Sequence, residues 1–252
     1  MKKACMGEAR LTPAFHGTGE RRGRVHSVFQ QVVNLSFPLE GEERLVALCK
    51  PGLPLLPDSI VAPRGWLEEL ALPVGAPVLL SPEALWAHGH SLPLRHAREW
   101  DGYLAPFSGA PASRELLEME RRCPNGFDAL PPSLRGRAEA ALTGGGIQRW
   151  LGLGRGLTPS FDDACVGVMA LCRGLGRPAP FALGEVSATT DVSARYLRLA
   201  QEGYFGWPLW NLIASLFRGS VAKAVRELLG VGASSGADML HGVAVALKDM
   251  GI

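Results

Sequence analysis

The chain has 252 residues, with 26 Lys and Arg against 24 Asp and Glu for a formal net charge of +2. That length suits one large domain or two small ones, and 47% hydrophobic with 20% charged residues excludes a disordered chain. The balanced charge leaves no electrostatic footprint for nucleic acid, and the single basic run, Arg21-Arg22-Gly23-Arg24, reads as a solvated loop.

From Arg24 to about Phe107 the apolar runs are short, rich in β-branched residues and cut by Pro and Gly, which predicts strands. They are Val25 to Val33, Arg44 to Cys49, Ser59 to Val61 and Pro77 to Leu80. A short helical turn is expected at Ser81-Pro82-Glu83, with Ser as cap and Pro at the first helical position. The small residues Ser108-Gly109-Ala110-Pro111-Ala112 then read as a joint. Beyond it the periodicity predicts seven helices: Ser113 to Arg122, Ser133 to Leu142, Ser160 to Leu175, Ser193 to Glu202, Pro208 to Phe217, Ser220 to Leu229 and Ser235 to Met250. The expected architecture is α+β. A Pro/Gly-rich β unit over 24–108, a small barrel or sandwich-like fold, precedes a helical bundle over 113–252 that carries the Gly/Ser/Thr motifs.

Two helix starts share one pattern. Ser160-Phe161-Asp162-Asp163-Ala164-Cys165-Val166-Gly167-Val168 and Ser235-Gly236-Ala237-Asp238-Met239-Leu240-His241-Gly242-Val243 both read S-x-x-D-x-x-x-G-V. The Ser–Asp spacing predicts a capping box. A mid-helix Gly costs about 1 kcal/mol relative to Ala, so each implies a compensating close approach of two helices. The pair is expected to cross with both N-termini facing one space.

The segment Gly152-Leu153-Gly154-Arg155-Gly156-Leu157-Thr158-Pro159-Ser160 leads into the first of these helices. Its alternate glycines permit positive φ and inward amides, and a helix start favours an anion. It is neither a Walker loop nor a dinucleotide fingerprint, and the plain alternative is a tight loop before a capped helix. Asp162-Asp163 suits Mg²⁺ beside a phosphate, or simply complements the helix dipole; no other cofactor is evident. Ser187 to Ser193 and Val231 to Gly236 are two more hydroxyl-rich helix starts. If the three converge, they form a pocket of neutral donors for an oxyanion or a carbamoyl group.

Other candidates are weaker. His88, His90 and His96 lack a Cys or Glu to complete a zinc set. Adjacent strand residues point to opposite faces, so His26 and Ser27 are not expected to pair. His241 reads as a packed helix residue rather than a base. Five cysteines without a CxxC pair suggest a reducing cytoplasm. No run approaches the ~18 apolar residues of a membrane span, and the two lysines of Met1–Cys5 precede no apolar segment of an export signal.

Three motifs in order carry a resemblance: Gly-x-Gly-x-Gly-Leu-Thr-Pro-Ser-x-Asp-Asp through Asp163, Thr-Thr-x-Val-Ser at Thr189 to Ser193, and Ser-Ser-Gly-x-Asp-x-Leu-x-Gly at Ser234 to Gly242. With Val25-His26-Ser27-Val28-Phe29 through Asn34-Leu35, the chain resembles the AllH-type family linked to oxamate carbamoyltransferase. The resemblance implies one subunit of a multi-subunit enzyme of anaerobic allantoin catabolism, converting oxalurate and phosphate to oxamate and carbamoyl phosphate. It implies small anionic partners (phosphate, carbamoyl phosphate, oxamate) and other subunits, with neither nucleic acid nor membrane. The chain departs from the family pattern at Phe161, where Gly is expected, and at Ala233, where His is expected. The ring at 161 is expected to crowd the helix mouth.

On this reading Gly154, Arg155, Gly156, Thr158 and Ser160 bind phosphate or carboxylate. Thr189, Thr190, Ser193, Ser234, Ser235 and Gly236 supply further donors. Asp162, Asp163 and Asp238 are the catalytic candidates, orienting the donors or holding a cation. The alternative is a non-catalytic metabolite-binding or accessory subunit.

Overall fold

A computed structural model of the chain describes residues 8–10, 19–39, 41–54, 56–70, 72–95 and 102–252. It divides into two compact units, Met1–Gly102 and Tyr103–Ile252. The architecture is α+β, strands first and helices after.

The first unit is one curled, half-barrel sheet. Its strands are β1 (Glu8–Arg10), β2 (Arg21–Val28), β3 (Val32–Leu39), β4 (Glu42–Cys49), β5 (Ser59–Val61), β6 (Pro77–Leu80), β7 (Ala84–Ala87) and β8 (His90–Pro93), with a single turn of helix, α1 (Trp66–Glu69), between β5 and β6. The spatial order is β1-β5-β4-β3-β2-β6-β7-β8, and among the described residues only β4 and β5 pair in parallel. Leu35, Phe37, Val46, Leu48 and Ile60 are fully buried in its core. Three local expectations change. The run Val25 to Val33 is the middle of a hairpin: the Phe29 amide donates to the Val32 carbonyl at 2.8 Å and Val28 pairs with Val33. Ser81-Pro82-Glu83 is a β-turn, not a helix start, because the Ser81 hydroxyl accepts from the Glu83 and Ala84 amides at 3.1 and 3.2 Å. His26 and Ser27 do meet, Nδ1 to Oγ at 3.2 Å, because the β2–β3 register shifts between Val25 and Ser27 and re-aims the side chains. His88 occupies the β7–β8 turn with φ 47° while His90 opens β8; His96 lies outside the described residues.

The second unit contains α2 (Arg114–Glu120), α3 (Pro132–Gly144), α4 (Ser160–Gly174), α5 (Asp191–Glu202), α6 (Trp207–Arg218), α7 (Ala222–Leu229) and α8 (Ser235–Asp249). Each matches a predicted helix to within two residues at either end. The expected joint at 108–112 falls later than the observed division, because residues 103–107 pack with the helices. The Leu104 amide donates to Gly203 O at 2.9 Å, Phe107 to Gly174 O at 2.8 Å, and Phe107 stacks on Phe217.

Helix α4 is the axis of this unit. Every residue in it except Arg173 is buried, as expected of a helix sheathed by α3, α5, α6 and α8. The two pattern glycines explain the α4–α8 crossing. A β-carbon at Gly167 would stand 2.1 Å from Met239 O, and one at Gly242 would stand 2.0 Å from Ala164 O. Each glycine thus admits the other helix's backbone, and the inferred crossing pair is present.

Candidate functional site

Two carboxylates in the first turn of an otherwise apolar buried helix are the strongest local anomaly in the fold. Asp162 is 1% exposed, Asp163 3% and, across the crossing, Asp238 0%. A buried carboxylate is tolerated only with partners or with its charge suppressed, and the three solve this differently.

Asp162 is partnered on both oxygens. Its Oδ1 accepts the Gly152 amide at 2.9 Å, and its Oδ2 accepts the hydroxyls of Ser193, at 2.7 Å, and Thr189. Through this one side chain α4 ties down the glycine loop and the start of α5. The loop bends as its glycines allow, with φ of 82° at Gly152 and 127° at Gly154. A β-carbon at Gly154 would also lie 2.4 Å from the Ser160 amide.

Asp163 and Asp238 each keep one buried oxygen, Oδ2, without a hydrogen-bond partner. Burial pushes the Asp163 carboxyl well above its ordinary value of 3.8; hydrogen bonds from Ser235 and Thr158 oppose this, and the charges of Asp238 and Asp162 reinforce it. The hydroxyls of Thr158 and Ser235 meet at 2.9 Å, bridging the starts of α4 and α8 beside Asp163. Asp238 Oδ1 accepts the Gly126 amide at 2.6 Å.

The sign of the Asp163 shift gives a first prediction. A carboxyl whose folded pKa is raised binds its proton longer in the native state than in the unfolded one. Its presence therefore costs stability as pH rises from about 3.8 toward the raised value. Asp163→Asn is expected to be more stable than the parent at pH 7 and equal to it near pH 3. Urea titrations at the two pH values check this; a gap that does not widen with pH contradicts it.

All three hydroxyl-rich helix starts converge, but their donors are in use. Thr189 and Ser193 donate to Asp162, and Thr190 donates to Leu157 O while its oxygen caps α5 by accepting the Ser193 amide at 3.1 Å. The predicted capping boxes do not form. Pro159 occupies the N-cap of α4, placing Ser160 inside the helix, and Ser234 caps α8 without a side-chain bond. Ser160 is buried against Gly126, and Gly236 is a packing glycine whose β-carbon would sit 1.9 Å from Leu228 O. Gly154, Arg155 and Gly156 are exposed, and Arg155 has no ion-pair partner among the described residues.

Phe161 does not crowd the helix mouth. It is fully buried, stacked on Trp150 with ring centroids 6.1 Å apart and tilted against Phe127 at 6.3 Å. Sequence reasoning missed Gly126, which carries no motif and reaches Asp238 from 112 positions away. It also missed the Asn125–Asp128 capping box that orients the Gly126 peptide. Among the described residues no three His, Cys, Asp or Glu groups form a metal-holding cluster.

The site therefore belongs to an α+β chain whose helical unit gathers glycine, hydroxyl and carboxylate motifs at one helix crossing. Comparison with known families places it further. The family described as oxamate carbamoyltransferase subunit AllH matches residues 150–247, and the AllH family N-terminal domain matches residues 3–99. The chain belongs to the AllH family. No solved structure matches it. No helix among the described residues is long and apolar enough to cross a membrane.

Proposed function

We propose that this chain is the subunit of an oxamate carbamoyltransferase that holds the carbamoyl-bearing substrate at the α4–α8 crossing. One observation carries the reading: two buried carboxyl oxygens without partners, on Asp163 and Asp238, beside an exposed glycine loop whose Arg155 has no ion-pair partner among the described residues. A carbamoyl or oxamate –C(=O)NH₂ group presents N–H donors that such oxygens accept, and its carboxylate suits Arg155 and the amides of Gly154 and Gly156. The Thr158–Ser235 hydroxyl pair closes over Asp163, so binding opens that pair and lets both hydroxyls turn to the ligand.

In the reaction, a phosphate oxygen attacks the carbamoyl carbon of oxalurate and the bond to the oxamate nitrogen breaks. The departing nitrogen takes up the proton that the phosphate gives up. Asp163, whose carboxyl burial pushes well above its ordinary range, is the group suited to relay it. No step is routed through a cation.

A second reading, an accessory subunit without chemistry of its own, is favoured by the internal use of the Thr189, Thr190 and Ser193 donors. Thermal shift separates ligand binding from pure structure. Oxamate or carbamoyl phosphate at 100 times its dissociation constant is expected to stabilise the chain by about 2.7 kcal/mol. Thr158→Ala and Ser235→Ala are each expected to weaken that ligand about fivefold to tenfold, the worth of one or two hydrogen bonds. Retention of full affinity by both variants refutes the site. A carbamoyl phosphate assay with and without the other subunits then distinguishes enzyme from accessory.

A further inference from the structure

One turn along α8 from Asp238, His241 is buried to 3% side-chain exposure, yet it does more than pack. Its Nδ1 lies 2.8 Å from Glu120 Oε1 on α2, and its ring centroid stands 4.8 Å from that of Phe127. Its Nε2 is 3.0 Å from Glu139 Oε1 on α3 but off the hydrogen-bonding line, and so is left without a bond. The second oxygen of Glu120 takes Lys248 Nζ at 3.2 Å. These groups line a cavity of about 620 Å³.

The charges on the cavity wall are uneven. Glu120, Glu139 and Asp128 face Arg121, Arg122, Arg135 and Lys248. Arg135 is engaged by Glu139 at 2.9 Å and by Asp128, and Lys248 by Glu120. Arg121 and Arg122 are exposed and have no ion-pair partner among the described residues. Burial raises the Glu120 carboxyl, but the hydrogen bond to His241 and the charge of Lys248 outweigh that and hold it below its ordinary range. The Glu120 carboxylate lies on Nδ1 and that of Glu139 beside Nε2, with Asp238 three residues back on the same helix. Four cationic side chains against three carboxylates leave the wall net positive, with the excess at Arg121 and Arg122.

We propose that this cavity is a second ligand site, for a small dianion of the phosphate class. Arg121 and Arg122 supply the uncompensated charge, and Nε2 of His241, which makes no hydrogen bond within the fold, is the buried polar atom left to meet the ligand. The proposal stands on this cavity alone and does not depend on the carbamoyl site around Asp163.

Calorimetric titration of the full chain with inorganic phosphate tests it. The parent is expected to bind, and the double variant Arg121→Gln/Arg122→Gln, whose side chains are exposed and leave the core intact, is expected to lose at least about tenfold in affinity. Lys223→Gln, which removes an exposed charge on α7 away from both sites, is expected to leave phosphate affinity unchanged, which separates loss of this site from loss of positive charge in general. His241→Gln is expected to weaken phosphate as well. As a readout independent of that variant's folding, the C2 proton of His241 in the parent is expected to shift on phosphate addition. Absence of phosphate binding in the parent, equal affinity in the double-arginine variant, or an unmoved His241 resonance each overturns the proposal.

Discussion

Gly167→Ala is expected to destabilise the helical unit by about 2 kcal/mol, although alanine is the better helix former. The propensity gain is about 1 kcal/mol. Against it, the new methyl would stand 2.1 Å from Met239 O and 3.2 Å from Met239 Cα, backbone atoms that cannot turn away as a side chain does. Forcing the helices apart opens a core in which Cys165, Val168 and Leu171 of α4 and Leu240, Val243 and Leu247 of α8 are fully or almost fully buried, a cost typical of overpacking at about 1–3 kcal/mol and at its upper end here. Gly242→Ala, which meets Ala164 O from the other side, is expected to behave alike. Once either substitution has pushed the helices apart, the second meets less resistance, so the double variant is expected to cost less than the sum of the singles. Urea denaturation reads this as lower midpoints at unchanged slope; parental midpoints for both singles contradict the crossing.

Asp162→Ala is the second large effect. Removing this carboxylate strands the Gly152 amide and the hydroxyls of Thr189 and Ser193, all pointing at one side chain 1% exposed. Bonds to a charged acceptor contribute about 1.5–3 kcal/mol each, and the half-buried Gly152 and Thr189 groups recover part of that from water, so a loss of about 3 kcal/mol is expected. The damage should be directional. Hydrogen exchange is expected to accelerate in the glycine loop and at the start of α5, while the middle of α4 stays protected. Asp162→Asn, which keeps one acceptor oxygen, is expected to recover more than half of the loss. Uniform acceleration across the helical unit contradicts the assigned role.

These two residues also show what the sequence does and does not display. Gly167 and Gly242 were legible because a helix-breaking residue one turn below a matched Asp demands a compensating contact, and backbone-to-backbone approach is the simplest. The seven helices were legible for a related reason: Pro, Ser and Gly mark their ends locally. Capping was misread because Pro159, with its fixed φ, takes the N-cap and draws Ser160 into the helix. The destination of Asp162 was illegible, since its partners lie up to 31 positions away. The same distance problem hid Gly126 from Asp238 and Glu120 from His241. In the sheet, period-two reasoning assumed an unbroken ladder at His26 and Ser27, and a register shift brought together two side chains that regular pleating separates. Phe161 shows the converse: a departure from the family pattern places it at the helix mouth on sequence grounds, whereas its ring fills the core beside Trp150 and Phe127.

Asp163 separates stability from use at this crossing. A buried carboxyl with an unpartnered oxygen weakens the fold at neutral pH, and such groups are retained where function needs them. The Asp163→Asn variant is thus expected to gain stability and lose ligand affinity together.

The most direct measurement is a titration of the isotopically labelled chain with oxamate, followed by backbone amide resonances. The account predicts that the largest shifts fall on Gly152 to Ser160 and on Ser234 to Asp238, with α6 and the Arg121–Arg122 segment unmoved. Shifts concentrated away from the α4–α8 crossing, or none at saturating oxamate, contradict it.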